Sequence, residues 1–236
     1  MAHRAVALRL GGAMVLVGTI VWFLLSRLHG DLPGTGQAVI EQARAASWRP
    51  AHIVTIIAIV FVASGLALLS GTLRDAAAAA IGQAGAMIAV PAAAALGVGF
   101  AIEGYVLAAL ADAYAMAPDE AARAMHVMQA DLVLKVIGAT SFAYQTLFGL
   151  AIVILSIATY RSREYPHWHC WLGMIGGAIW AVAGILIFVG VQGAELWLVF
   201  APVLPVAVWL LGLGWLAWQK GAGLMPRTTQ PAGAPG

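Results

Sequence analysis

Six ionisable side chains could do chemistry in this sequence, because they lie in or beside strongly apolar segments. They are Glu103, Asp131, Lys135, Asp112, His126 and His52. Asp131 and Lys135 are four residues apart, so they would share one face of a helix. Ionisable groups are costly near lipid, and they usually pair with one another or mark a functional site. We therefore take these six as the candidate ligand-binding residues.

Two arrangements of these residues are open, and one of them involves the loop that precedes the second apolar segment. The one that we favour is an ion cluster, in which Glu103, Lys135 and Asp131 tie the third apolar segment to the fourth. The other is the floor of an outward-facing polar pocket, with residues 29–50 as its lid. Within that loop, GQAVIEQARAASW has the pattern of a short amphipathic helix that lies over the bundle.

A metal site is the third arrangement, since two imidazoles and three carboxylates could hold zinc or iron. However, the sequence has no HExxH motif, and no two histidines have ligand spacing on one helix. We therefore predict no metal at these residues, and no pattern in the sequence indicates a particular cofactor.

The composition decides the class of protein. Hydrophobic residues make up 62% of the chain and charged residues only 9%, whereas a soluble domain averages about 25% charged residues. The mean hydropathy is +0.92. These values predict an integral membrane protein whose surface contacts lipid. The net charge of +2 is too small to suggest a nucleic-acid partner.

Six apolar segments reach the roughly 20 residues that a helix needs to cross a bilayer. They lie near residues 6–27, 52–72, 80–110, 134–159, 168–191 and 196–218. The predicted fold is therefore all-α, a transmembrane bundle of six helices over residues 1–220 with a disordered cytoplasmic tail over 221–236.

The third and fourth segments are longer than a membrane requires, so we expect a long hairpin with MAPDEAARAM at its tip. At 1.5 Å per residue, Glu103 and Lys135 then reach similar depth near the outer membrane boundary. That depth is the basis for a predicted Glu103–Lys135 contact, with Asp131 as the second partner.

Basic residues predict the orientation, because Lys and Arg are enriched in cytoplasmic loops. With the N-terminus inside, the inner segments hold seven of the 12 basic residues and the outer segments hold four. Most carboxylates fall outside. Both termini are therefore predicted to be cytoplasmic.

The stretch YRSREYPHWHCWLGMIGGAIWAVAGILIF, residues 160–188, resembles a family of small bacterial six-helix membrane proteins that is defined as a domain of unknown function. The matching residues are Arg161, Ser162, Arg163, Pro166, Trp171, Leu172 and Gly173. SGLALLSGTLR, residues 64–74, also fits the pattern. The resemblance implies a six-helix fold in a bacterial inner membrane, and it assigns no active residues.

Two classes of function are compatible with these observations. The first is a non-enzymatic membrane protein that serves as a binding module, a small transporter or an accessory subunit. Membrane lipid is its expected partner, together with a larger membrane complex or further copies of the chain. The second is a membrane-embedded enzyme, with or without a metal, that acts at the outer polar cluster. The lack of catalytic spacing favours the first class.

Overall fold

The computed structural model describes residues 2–29, 32–189 and 194–224. Eight α-helices and one π-helical segment account for most of this part of the chain. In chain order they are α1 (Ala2–His29), α2 (Gly36–Ala43), α3 (Trp48–Ser70), α4 (Ala76–Ala101), the π-helical segment Ile102–Leu107, α5 (Ala108–Met116), α6 (Glu120–Ser162), α7 (His167–Phe188) and α8 (Ala194–Gly223).

Six of the described helices are long and apolar enough to cross a membrane. The predicted all-α transmembrane bundle is therefore confirmed. The third of these helices continues from α4 through the π-helical segment into α5, so it covers Ala76–Met116, and the fourth is the 43-residue α6. Together they form the predicted long hairpin. Many large apolar side chains on the bundle exterior are exposed, as contact with lipid requires.

The six long helices pack in a closed ring. Helix α1 contacts both α3 and α8, α4 contacts α3 and α6, and α7 contacts α6 and α8. Small residues allow the close crossings, as is common in membranes. At the crossing of α6 and α7, a Cβ atom on Gly149 would stand 2.6 Å from the Gly177 carbonyl oxygen. Only glycine therefore fits this crossing without a shift of backbone.

At the hairpin tip, the side chain of Asp119 caps the N-terminus of α6. Pro118 precedes Asp119, and the Asp119 carboxylate accepts a hydrogen bond of 2.8 Å from the Ala122 backbone N–H. Asp75 caps α4 in the same way, with a bond of 2.7 Å from the Ala78 N–H. Each cap satisfies one of the donors that a helix N-terminus leaves unpaired.

Glu164 joins the predicted inner ends of several helices. Its carboxylate pairs with Arg4 of α1 and accepts a hydrogen bond of 2.9 Å from the Arg74 backbone N–H. Its own carbonyl oxygen accepts a hydrogen bond from the Lys220 ammonium of α8. The Lys220 ammonium also lies 3.7 Å from the centre of the Tyr165 ring. Through its carboxylate and its backbone carbonyl, Glu164 in the α6–α7 loop thus contacts α1, the α3–α4 loop and α8.

Helix α8 continues into the segment 221–236 that the sequence predicts as a disordered tail. Helix α8 extends to Gly223, whereas the sequence predicted disorder from Gly221. The reason is packing against α1, since a Cβ atom on Gly221 would stand 2.8 Å from the Ala5 carbonyl oxygen. The rest of the predicted tail, residues 225–236, lies outside the described residues.

Candidate functional site

A π-helical turn places Glu103 inside the protein. The segment Ile102–Leu107 interrupts the long third membrane helix, and Glu103 within it is only 5% exposed. The Glu103 carbonyl oxygen accepts a hydrogen bond of 3.2 Å from the indole N–H of Trp48. Single π turns inside α-helices occur frequently at functional sites. Glu103 is the one buried carboxylate among the side chains that the structure describes.

His52 of α3 contacts the carboxylate of Glu103. Its Nε2 atom lies 3.1 Å from Oε1 of Glu103, and its side chain is 2% exposed. The other ring nitrogen, Nδ1, lies 2.6 Å from the carbonyl oxygen of Trp48, one helical turn earlier. Because a carbonyl oxygen can only accept, Nδ1 carries a proton and donates it. This contact leaves Nε2 as the atom that faces Glu103.

Gly104 makes the approach of α3 to this segment close. A Cβ atom there would stand 2.5 Å from Cβ and 2.7 Å from Cγ of His52. The His52 ring also contacts Trp48, with 4.6 Å between ring centroids, and Phe100, with 5.7 Å. The imidazole and the carboxylate therefore meet in an enclosed, mostly aromatic environment where little water can screen them.

The short helix α2 covers this end of the bundle, as predicted for the 29–50 loop. Its buried face consists of Gly36, Val39, Ile40 and Ala43, and it packs against α5, α6 and the π-helical segment. The Thr35 side chain caps its N-terminus by accepting a hydrogen bond of 3.4 Å from the Ala38 N–H.

Asp131 of α6 anchors the same helix. Its Oδ1 atom accepts a hydrogen bond from the Gly36 backbone N–H. A Cβ atom on Gly36 would overlap the Val127 carbonyl oxygen and stand 2.9 Å from the Asp131 backbone nitrogen. Asp131 is therefore a helix anchor in this structure, because a carboxylate near the positive end of a helix is stabilised there.

A cavity of about 450 Å³ lies beside Trp48. Its lining is mostly apolar and includes Leu25, Gln42, Ala45, Ser47, Trp48, Pro50, Ala51 and Val54. Trp48 thus contributes to the cavity wall and contacts both His52 and Glu103. A volume of this size falls in the range of small-molecule sites.

The structure does not bring the predicted ion cluster together. Lys135 is exposed on α6 while Glu103 is buried against α3, so the predicted Glu103–Lys135 contact is wrong. Residue counting along the helices gives depth, but it does not give the direction in which a side chain points. The π-helical turn adds a residue to the helical repeat and so changes the face on which Glu103 lies.

The remaining candidates are dispersed over the outer end. Asp112 pairs with Arg49 at 2.7 Å, and both side chains are more than half exposed. The His126 ring lies 3.0 Å from the Gln129 side-chain oxygen on its own helix. No three His, Cys, Asp or Glu side chains among the described residues group closely enough to hold a metal ion. Of the six candidate residues, the structure joins only His52 and Glu103 directly.

Trp48 and Gly104 contribute to the site, although the sequence analysis did not include them among the candidates. Two signals in the sequence point to them. Trp48 precedes His52 by four residues, and Gly104 follows the intramembrane Glu103 directly. A helical one-turn spacing places the first pair on one face, and a glycine beside a buried acid permits close approach of a neighbouring helix.

No family model matches the chain, and no curated protein or solved structure is similar to it.

Proposed function

We propose that this protein is a non-enzymatic membrane protein that binds or transports a small ligand at the outer end of its helix bundle, beside His52 and Glu103. The observation that carries the proposal is the burial of Glu103, 5% exposed, with His52 at 3.1 Å inside a helix that can cross a membrane. An ionisable residue in such a place is costly, and it commonly lies on a ligand or ion pathway.

Three further features support a binding site at this place. A π-helical turn interrupts the helix at Glu103, the short helix α2 covers the same end, and a cavity of about 450 Å³ opens beside Trp48. A purely structural ion pair would need none of these three. The ligand-binding roles of Asp112, Asp131, Lys135 and His126 remain predictions at the rim of the same end.

The enzyme alternative receives less support from the geometry. Asp112, His126 and Asp131 each contact a different partner, namely Arg49, Gln129 and the Gly36 backbone. A nucleophile or general base needs a second group within hydrogen-bond reach that activates or orients it. Among the described candidates, only His52 and Glu103 have such a relation.

We further propose a bacterial inner-membrane location with both termini in the cytoplasm. The distribution of basic residues supports this orientation, and the likeness of residues 160–188 to bacterial six-helix proteins supports the location. The cluster around Glu164 would then lie on the cytoplasmic side, and the His52–Glu103 site would face the periplasm. A larger complex or a homo-oligomer is compatible with this arrangement.

The proposal can be tested by a thermal-shift screen of the purified protein in detergent against small polar and apolar compounds. A compound that binds at the site should raise the melting temperature of the parent by mass action. It should do so in Glu120→Gln, whose altered side chain is 90% exposed, but not in Glu103→Gln or His52→Gln. A compound that stabilises all four proteins equally would bind elsewhere and would contradict this location.

A further inference from the structure

We propose that His52 and Glu103 together bind one exchangeable proton, and that release of this proton opens the outer end of the bundle at Trp48. Binding or transport at the site would then be coupled to proton movement. This inference rests on the proposed function for its biological meaning, but its test needs no ligand.

The hydrogen-bond donors and acceptors of His52 and Glu103 determine how many protons lie between the two side chains. Nδ1 of His52 uses its proton for the Trp48 carbonyl oxygen, 2.6 Å away, so only Nε2 is available to Glu103. If Nε2 held no proton and Glu103 were ionised, a nitrogen lone pair would face a negative oxygen at 3.1 Å. That contact would be repulsive in an environment of low polarity. The observed contact therefore requires one proton, either on Nε2 or on the carboxyl group.

The two forms of the pair share this proton as one unit. With the proton on Nε2 the pair is an imidazolium and a carboxylate, and with the proton on Glu103 it is a neutral imidazole and a neutral acid. Two strongly interacting groups lose their protons in steps that belong to the pair. Loss of the shared proton leaves neutral His52 against ionised Glu103, so the two side chains should separate.

Trp48 connects this separation to the cavity. Its carbonyl oxygen accepts from His52, its indole N–H donates to the Glu103 carbonyl at 3.2 Å, and its side chain lines the cavity. It is also the first residue of α3, and residues 44–47 join it directly to α2. A shift of His52 away from Glu103 therefore moves the residue at which the cavity, the covering helix and the π-helical segment meet.

Other titratable groups on the surrounding elements are at least partly exposed, except Tyr144 of α6, which is buried against Trp22 and Trp180. Helix α4 carries no ionisable side chain. The charged or titratable side chains of the other packed elements are Glu41 on α2, Arg49 on α3, Tyr105 in the π-helical segment, Asp112 and Tyr114 on α5, and Glu120, Arg123, His126, Asp131 and Lys135 on the outer part of α6. Exposed charges are screened by water and salt. Among the described side chains of these elements, the buried proton site is thus confined to His52 and Glu103.

The first experiment measures the proton itself in the full chain, in lipid nanodiscs. Nitrogen NMR of histidine-labelled protein identifies His52 by the signal that His52→Gln removes, and infrared difference spectra report a protonated carboxyl group. Near pH 5 we expect either a proton on Nε2 or a carboxyl band that Glu103→Gln removes. Both groups should lose this proton in one common step as the pH is raised, because a strongly interacting pair titrates as a unit. An unprotonated Nε2 together with no such band near pH 5 would overturn the proposal.

The second experiment measures the opening of the cavity beside Trp48 by cysteine labelling. It uses a Cys170→Ala background, so that the engineered cysteine is the one thiol in the chain. Cysteine is placed in the cavity wall by Ala51→Cys and, separately, on the exposed surface by Ala46→Cys. Thiols react faster as the pH rises because the thiolate is the reactive form. Dividing the labelling rate at residue 51 by the rate at residue 46 corrects for this general effect of pH. We expect the ratio to rise severalfold between about pH 5 and pH 8.

Two matched variants make the opening test specific. In Glu103→Gln the rise should disappear, while in Glu120→Gln it should remain, because the Glu120 side chain is 90% exposed. Gln42→Cys offers a second wall position if Ala51→Cys does not fold. A constant ratio in the parent, with the proton detected, would overturn the coupling. A ligand that binds equally well to Glu103→Gln would instead contradict the proposed function, so the two failures are distinguishable.

Discussion

Gly104 and His52 touch so closely that a Cβ atom on residue 104 would stand 2.5 Å from the His52 Cβ. This relationship fixes how near α3 comes to the π-helical segment. It also makes residue 104 a sensitive probe of the site, because the methyl group of alanine cannot be accommodated without moving the imidazole.

We expect Gly104→Ala to destabilise the protein by about 1–3 kcal/mol, the usual cost of overpacking a well-packed interior. Gly138→Ala is the matched control, since no atom lies within 4 Å of a Cβ added there. That control should be neutral or slightly stabilising, because alanine favours helix. Thermal unfolding in one detergent compares the two, and equal melting temperatures would contradict the close packing at His52.

The anchoring of α2 on α6 predicts the effect of Gly36→Ala. Its methyl group would collide with the Val127 carbonyl oxygen and displace the Gly36 N–H from Asp131. We therefore expect protease to cut the segment 32–47 several times faster than in the parent. Gly34→Ala, where a Cβ meets nothing within 4 Å, should keep the parent rate. Equal cleavage of both variants would show that α2 is not held at Gly36.

The burial of Glu103 and the exposure of Lys135 predict that substitutions at these two residues differ greatly in their effect on stability. Removing one partner of a largely buried pair costs roughly 3–5 kcal/mol, so Glu103→Ala and His52→Ala should each destabilise strongly. The double variant should lose much less than the sum of the two. Lys135→Met should change the unfolding free energy by less than about 0.5 kcal/mol. Strong coupling between residues 103 and 135 in a double-mutant cycle would contradict the pairing with His52.

The links from Glu164 predict a stability role at the other end of the bundle. Its carboxylate and Arg4 are mostly buried, with 17% and 22% of their side chains exposed. Glu164→Ala removes hydrogen bonds to a charged group, which are worth about 1.5–3 kcal/mol. Glu120→Ala serves as the control, since that side chain is 90% exposed. A melting temperature of Glu164→Ala equal to that of the control would show that the cluster contributes nothing.

The proposed orientation can be checked by labelling engineered cysteines in intact cells, again in the Cys170→Ala background. Gln37 lies on the exposed face of α2, so Gln37→Cys should react with a reagent that cannot cross the membrane. Thr228→Cys should react only after the membrane is made permeable. The reverse pattern would place both termini outside and the His52–Glu103 site toward the cytoplasm.

The all-α bundle, its six crossings and the position of α2 could be predicted from the sequence, because each depends on local periodicity and composition. The uncharged lengths of the helices specify the crossings, and the pattern of residues 36–43 specifies the apolar face of α2. The capping of α6 by Asp119 is equally local. Such features need no knowledge of a distant partner.

The pairing within the site could not be predicted in the same way. Glu103 and Lys135 have similar depth, but the π-helical turn that directs Glu103 toward His52 has no clear signature in the sequence. The link from Asp131 to Gly36 uses a backbone N–H, which every residue except proline has. Glu164 is 160 residues away from Arg4 along the chain, so only the packed helices bring them together.

The closed ring of helices has a consequence for biogenesis. Helix α1 precedes all other described helices in the chain and has α8 as one of its two neighbours. Their crossing is so close that a Cβ atom on Gly12 would stand 2.7 Å from the Gly214 carbonyl oxygen. Synthesis proceeds from the N-terminus, so this flank of α1 is without its partner until α8 enters the bilayer. The nascent protein must therefore persist in the membrane as an open, C-shaped intermediate, and termination before α8 would leave that state for quality-control proteases to recognise.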